Sequence, residues 1–211
     1  MMVRQDIDGQ IIRDARPKLE ERLKAISIRQ RPSLREPVAD DAPWFVAEVQ
    51  QGHECTVEKD LIAAGVQTAL PMRKGPARKR RGRIIPASDM PLMGGYLLVR
   101  FAVSNEALNA FYGFDHVSGL LGGWDKPFTI MHWKVTEILR RSQIGDYDWQ
   151  RQAASRFQPG ETVRIGDGVF AGLSGEIVNA RSDGRGDAVV EVELMGRKTP
   201  MLIPLAILEK L

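Results

Sequence analysis

Toward the C-terminal end of the chain, apolar and polar positions alternate with period 2. Val163 and Ile165 flank Arg164, and Val190, Val192 and Leu194 alternate with Glu191 and Glu193, which is the pattern of half-buried strands. Ile177 follows a Gly175 turn, and between the apolar runs lie Gly166-Asp167-Gly168, Ala171-Gly172, Ser182-Asp183-Gly184 and Met195-Gly196. These are turn sequences in which glycine supplies positive φ without a Cβ penalty. Four or five short antiparallel strands in residues 157–211 close best as a small β-barrel, because an open sheet of that size leaves its edges unpaired.

Upstream the period changes. From Trp44 to about Arg141 the pattern predicts a strand, a helix (Glu54 to Ala64), a strand (Val66 to Met72), a basic loop, a strand (Tyr96 to Phe101), a helix (Glu106 to Phe111), a strand (Val117 to Leu120) and a helix (Trp133 to Arg141). That order makes an α+β sandwich. Residues 1–43 form an N-terminal extension, largely flexible. Leu19, Leu23 and Ile26 predict one short helix in it, from about Pro17 to Ile28, and Pro32, Pro37 and Pro43 mark a linker that cannot continue a helix. Residues 142–156, rich in Gln, Ser, Asp and Ala, read as a flexible connection to the barrel.

The segment FQPGETVRIGDGVFAGLSGEI, followed by GRKTP at Gly196–Pro200, resembles the KOW domain of the NusG family of bacterial transcription elongation and antitermination factors. Further landmarks stand in the family's order: Trp44-Phe45-Val46, Gly52-His53-Glu54, Gly94-Gly95-Tyr96-Leu97-Leu98-Val99 and Val117-Ser118-Gly119-Leu120-Leu121-Gly122-Gly123. They resemble its NGN domain. The resemblance spans about residues 43–211 and implies an NGN ferredoxin-like α/β sandwich (44–141), a linker (142–156) and an SH3-like KOW β-barrel (157–211).

Charge is unevenly distributed. Net charge is +3, but residues 44–141 carry thirteen basic and nine acidic side chains, whereas residues 157–211 carry six and eight. A barrel that gripped phosphates by charge would be the basic part, so protein recognition suits this one better. The basic excess concentrates in residues 73–83, where Arg73, Lys74, Arg78, Lys79, Arg80, Arg81 and Arg83 occur with no acid among them. Such a run is a solvated loop or a polyanion contact. In the family this position is a variable hairpin loop near DNA upstream of the polymerase, which implies contact with the nucleic-acid backbone. With no aromatic or amide side chain interleaved, the expected contact does not read sequence.

The resemblance implies two protein-binding surfaces. The NGN domain of the family presents an apolar depression to the largest subunit of RNA polymerase, and the matching positions are Trp44, Met93 and Tyr96; as residues alone, all three also fit a sheet core. Met93-Gly94-Gly95-Tyr96 departs from the family's Phe-Pro-Gly-Tyr, and Met131-His132-Trp133 lacks a Ser or Asp helix cap. In the barrel, Phe170 between Gly168-Val169 and Ala171-Gly172 is expected to be exposed. With Val169 and Leu173 it matches the loop by which the family contacts a small-subunit ribosomal protein or the termination factor Rho.

Chemistry finds little support. His53, Glu54 and Cys55 are too few for a structural zinc site, which needs four ligands. His116 and His132 are isolated, and neither GxxxxGK[ST] nor GxGxxG is present. The expectation is a non-enzymatic protein without cofactor or metal. A single cysteine fits a reducing cytoplasm, and the apolar runs are too short to span a bilayer; a cytoplasmic monomer with no membrane partner is expected. Two classes remain: a transcription factor tethering polymerase to a second machine, and an RNA-binding or ribosome-associated KOW protein. The extension, the arginine run and the Gly94 departure lean toward a specialised paralogue within the first.

Overall fold

The structure is a computed structural model and describes residues 17, 19–181 and 183–211. A helix α1 (19–30) leads into a 3-10 turn, Arg31–Arg35. The first domain then runs β1 (Trp44–Val49), α2 (Glu54–Ala64), β2 (Gln67–Ala69), a long arm, β7 (Tyr96–Arg100), α3 (Asn105–Tyr112), β8 (Val117–Leu120), β9 (Thr129–Ile130) and α4 (His132–Gln143). The arm consists of β3 (Met72–Lys74), β4 (Arg78–Arg80), β5 (Arg83–Ile85) and β6 (Asp89–Pro91). The main sheet has the order β2-β7-β1-β8, with β9 beside the start of β1, and every pairing is antiparallel.

Strand β1 explains how this sheet is covered. Its alternation sends Phe45, Ala47 and Val49 into one apolar cluster, with Val57 and Leu61 of α2 and Ala107 and Phe111 of α3. Trp44 and Val46 point the other way, into a cluster with Val135 and Ile138 of α4. The helix ends are locally encoded: Ser104 caps α3 by accepting from the Ala107 N–H at 3.1 Å, and Gly65 ends α2 with φ of 92°.

The second domain is a five-stranded antiparallel barrel of β10 (Thr162–Ile165), β11 (Ser174–Ala180), β12 (Asp187–Leu194), β13 (Arg197–Pro204) and β14 (Leu208–Lys210), in the order β13-β12-β11-β10-β14. Val163, Ile165, Ile177, Val190, Val192 and Ile203 fill it. The same continuous cluster holds Trp44, Val46, Leu92, Met93 and Leu98 of the first domain. The barrel therefore packs with α4 over the second face of the main sheet, and the two domains share a core.

Several expectations need correction. The strand foreseen from Val66 to Met72 is divided at Leu70-Pro71, because proline lacks the N–H a ladder needs. The basic loop, for which the resemblance implied a hairpin, is the β4–β5 hairpin, turning through Arg81 and Gly82, both at positive φ. Of the extension, Leu19, Leu23 and Ile26 of α1 stay exposed, whereas contacts from Ser27 onward tie it to the first domain. Ser27 Oγ donates to the Ala110 carbonyl at 3.2 Å, Leu34 is buried, and Arg100 Nη1 donates to the Asp40 carbonyl at 2.7 Å. The remainder of the expected flexible extension lies outside the described residues.

The connecting segment is also anchored. The Trp149 N–H donates to the Lys74 carbonyl at 2.9 Å, the Gly186 N–H to the Trp149 carbonyl at 3.2 Å, and Tyr147 and Ala153 are buried.

Candidate partner-binding surfaces

Trp44 opens β1 with its ring buried; the indole N–H donates to His132 Nδ1 at 3.0 Å, and the Arg100 guanidinium lies 5.0 Å from the ring centre. Met131 precedes α4 without a side-chain cap, as the sequence suggested. Tyr96 begins β7 just after the Met93-Gly94-Gly95 turn, where Gly95 has φ of 84°. Glu54 sets that turn. Its carboxylate, buried at the start of α2, accepts from the Gly52 N–H at 2.9 Å and the Gly95 N–H at 2.7 Å. Sequence reasoning read Glu54 as a helix start and weighed it as a metal ligand but missed this role; its place two residues after the Gln51-Gly52 turn was the available signal. Its neighbours turn elsewhere: His53 stacks on His116 at 3.8 Å and Cys55 is exposed. Among the described residues no group of three or more His, Cys, Asp or Glu side chains gathers.

The expectation of an exposed Phe170 is corrected. Its residue is 0% exposed. Tyr96 meets it edge to face at 5.0 Å with 79° between the planes, and Phe128 lies 6.1 Å away. Val169 is buried and Leu173 half-buried. Met93 reaches the same loop: a Cβ placed on Gly168, which has φ of 89°, would lie 3.2 Å from Met93 Cε. So Met93 and Tyr96, expected to bind one partner, pack on the loop expected to bind another, with Trp44 buried in the same cluster. The cause is simple: each surface is apolar, and each removes the other from water.

Two ionic contacts flank this seam. Asp167, at the start of the Phe170 loop, is 2.8 Å from Lys134 Nζ and 2.7 Å from Arg141 Nη1, both on α4, and accepts from the Tyr147 hydroxyl. Burial pushes the Asp167 carboxyl up, but hydrogen bonds from Lys134, Tyr147 and the Gly168 N–H outweigh it and hold it below the usual range. Burial, followed by the Asp167 bond, pushes the Tyr147 hydroxyl far up, so it remains a donor. The second contact is Arg73 Nη2 to Asp187 Oδ2 at 2.8 Å. Arg73 is only 2% exposed, while Arg73 Nε, Arg73 Nη1 and Asp187 Oδ1 have no hydrogen-bond partner among the described residues.

That burial corrects the assignment of Arg73 to an exposed basic run: its side chain points inward to the barrel. Lys74, Arg78, Lys79, Arg80, Arg81 and Arg83 are exposed, with Lys74 paired to Asp89 at 2.8 Å. Between the arm base, the Met93–Tyr96 turn and barrel strands β12 and β13 lies a cleft of about 490 Å³.

A helix-backed antiparallel sheet joined to a small five-stranded barrel defines a two-domain protein of the NGN-plus-KOW type. Residues 42–139 match the family described as "Transcription termination factor nusG". NusG of Pseudomonas aeruginosa, a transcription termination/antitermination protein, is 28% identical over 183 residues, covering 79% of this chain and 97% of that one. The protein of the same name from Escherichia coli K12 is 26% identical over 184 residues, covering 79% and 95%. That of Pasteurella multocida is 31% identical over 124 residues, covering 58% and 66%. A solved structure of Thermotoga maritima NusG is 24% identical, covers 80% of this chain and 97% of its own, and aligns with a TM-score of 0.43. Residues 42–139 are thus a NusG-family domain, and the relatives named NusG extend the similarity to 79% of the chain.

Proposed function

We propose that this protein is a transcription factor that binds the largest subunit of RNA polymerase through Trp44, Met93 and Tyr96 and recruits a second partner, a small-subunit ribosomal protein or Rho, through Val169, Phe170 and Leu173. The arm beside the polymerase-binding surface contacts upstream DNA. The observation that carries this proposal is the Tyr96–Phe170 contact. Two apolar surfaces that each fit an external partner cover one another, so the conformation is a closed one and neither partner binds until the domains part. Competition between intramolecular and intermolecular docking then sets how much protein is available. The relatives' shared name, transcription termination/antitermination protein, supports the choice of machine, and the acidic barrel supports a protein partner over RNA.

The test is co-sedimentation of the full-length chain with RNA polymerase after nuclease treatment, for the wild type and for Phe170→Ser. Retention of the wild type, strengthened in the variant, supports the proposal; association that depends on ribosomal RNA supports the RNA-binding alternative. Transcription in vitro across a Rho-dependent terminator, with and without the protein, then gives the direction of its effect.

A further inference from the structure

Strands β4 and β5 form a ribbon standing clear of both domains, every residue from 77 to 89 being exposed. Residues directly opposite in an antiparallel pair share a face. The register Arg78↔Ile85, Lys79↔Ile84 and Arg80↔Arg83 therefore sorts the ribbon into two faces. One presents Arg78, Arg80, Arg83 and Ile85; the other presents Lys79 and Ile84.

Like charges directly opposite one another in a sheet are destabilising. Arg80 and Arg83 stand in that relation, and among the described residues neither they nor Arg78 has a carboxylate within ion-pair distance. The base of the arm is built otherwise, since Lys74 and Asp89 are opposite and paired at 2.8 Å. A polyanion at the tip would supply the missing counter-charge.

Dimensions choose among polyanions. Two strands about 4.8 Å apart with their side chains fit the B-form major groove, about 12 Å wide, but not the minor groove, about 6 Å wide. Duplex RNA has a deep, narrow major groove that side chains do not read. Arginine is the side chain that pairs bidentately with guanine O6 and N7, and an apolar neighbour such as Ile85 suits a thymine methyl.

We propose that the β4–β5 ribbon enters the major groove of duplex DNA, with Arg78, Arg80 and Arg83 directed at guanine edges and Lys79 and Arg81 at flanking phosphates. This rests on the DNA-contacting role of the arm proposed above and replaces a contact blind to sequence with one that reads it.

The experiment measures binding of the full-length chain, by fluorescence anisotropy, to a labelled duplex DNA pool about two helical turns long, randomised over its centre. The pool is prepared with guanine or with 7-deazaguanine, which lacks the N7 acceptor but keeps the charge. Duplex RNA and single-stranded DNA pools are compared. Loss of one bidentate contact corresponds to about 5- to 150-fold in affinity, so binding is expected to fall by at least the lower figure on 7-deazaguanine. Arg80→Ser/Arg83→Ser is expected to bind weakly and lose that sensitivity; Lys79→Ser/Arg81→Ser, equal in charge removed, keeps it. Equal binding to all four pools overturns groove entry while leaving a backbone contact. No salt-dependent binding to any pool overturns both, and co-sedimentation with polymerase distinguishes either failure from loss of the transcription role.

Discussion

The Tyr96 and Phe170 rings meet edge to face, their centres 5.0 Å apart, across the boundary between the two domains. Aromatic pairs in this geometry are worth about 0.5–1.5 kcal/mol beyond the area they bury. Here the pair joins the two surfaces proposed to bind separate partners, so docking of either partner would compete with domain closure.

Phe170→Ala empties the middle of the seam. Truncating a fully buried phenylalanine costs about 3–5 kcal/mol, and the Tyr96 and Phe128 rings against it belong to the other domain. The expected outcome is domain separation with the barrel strands intact. Limited proteolysis measures it as faster cleavage within residues 144–156; unchanged protection there would show that the ring does not hold the seam.

Asp167 makes closure sensitive to acid. Its folded pKa is lowered, so its contribution is fully present above the unfolded value of about 3.9 and is lost as pH falls through the lower folded value. Closure is expected to be level near neutrality and to weaken below about pH 4. Asp167→Asn should weaken it at pH 7 and flatten the carboxylate's part of the profile, as read by the fluorescence of Trp149 in the connecting segment.

The Arg73–Asp187 pair is expected to behave asymmetrically under mutation. Arg73→Met leaves the Asp187 carboxylate buried and alone, a defect of about 3–5 kcal/mol, whereas Arg73→Met with Asp187→Leu should restore or exceed wild-type stability. Urea denaturation of the two single variants and the double variant gives the cycle. A double variant no better than the worse single variant would mean that the unpartnered Nε, Nη1 and Oδ1 atoms carry no net cost.

Gly186→Ala tests the anchoring of the connecting segment. A Cβ there would lie 2.6 Å from the Trp149 ring, at φ of 86°. The ring must move, and loss of the bond between the Gly186 N–H and the Trp149 carbonyl is expected to raise amide exchange across residues 147–153 while the barrel core stays protected.

Where the signals were local, the sequence was informative. The span Glu54–Ala64 of α2 was legible from its periodicity and the following Gly65, and Val117–Leu120 from its bounding turns. The barrel was legible because its glycines sit where turns need them. Phe170 was misplaced because glycine neighbours reveal a loop but not what covers it, and its cover lies on residues far away in the chain. Arg73 was misplaced for the same reason: its partner is 114 residues distant, and a run of like charges does not tell which member turns inward. The family resemblance implied a hairpin where β4 and β5 lie, but the residue pattern alone did not show it, because its turn is Arg81-Gly82 rather than Asn-Gly and the positive φ of Arg81 had no local cue.

Tyr147, Trp149 and Ala153 hold the chain between the domains flat against them. A free segment of about a dozen residues has a root-mean-square span of roughly 20 Å. While the domains are joined that slack is stowed, and it is paid out only as the barrel departs. The reach over which the barrel would search for the second partner proposed above is therefore a property of the parted molecule alone.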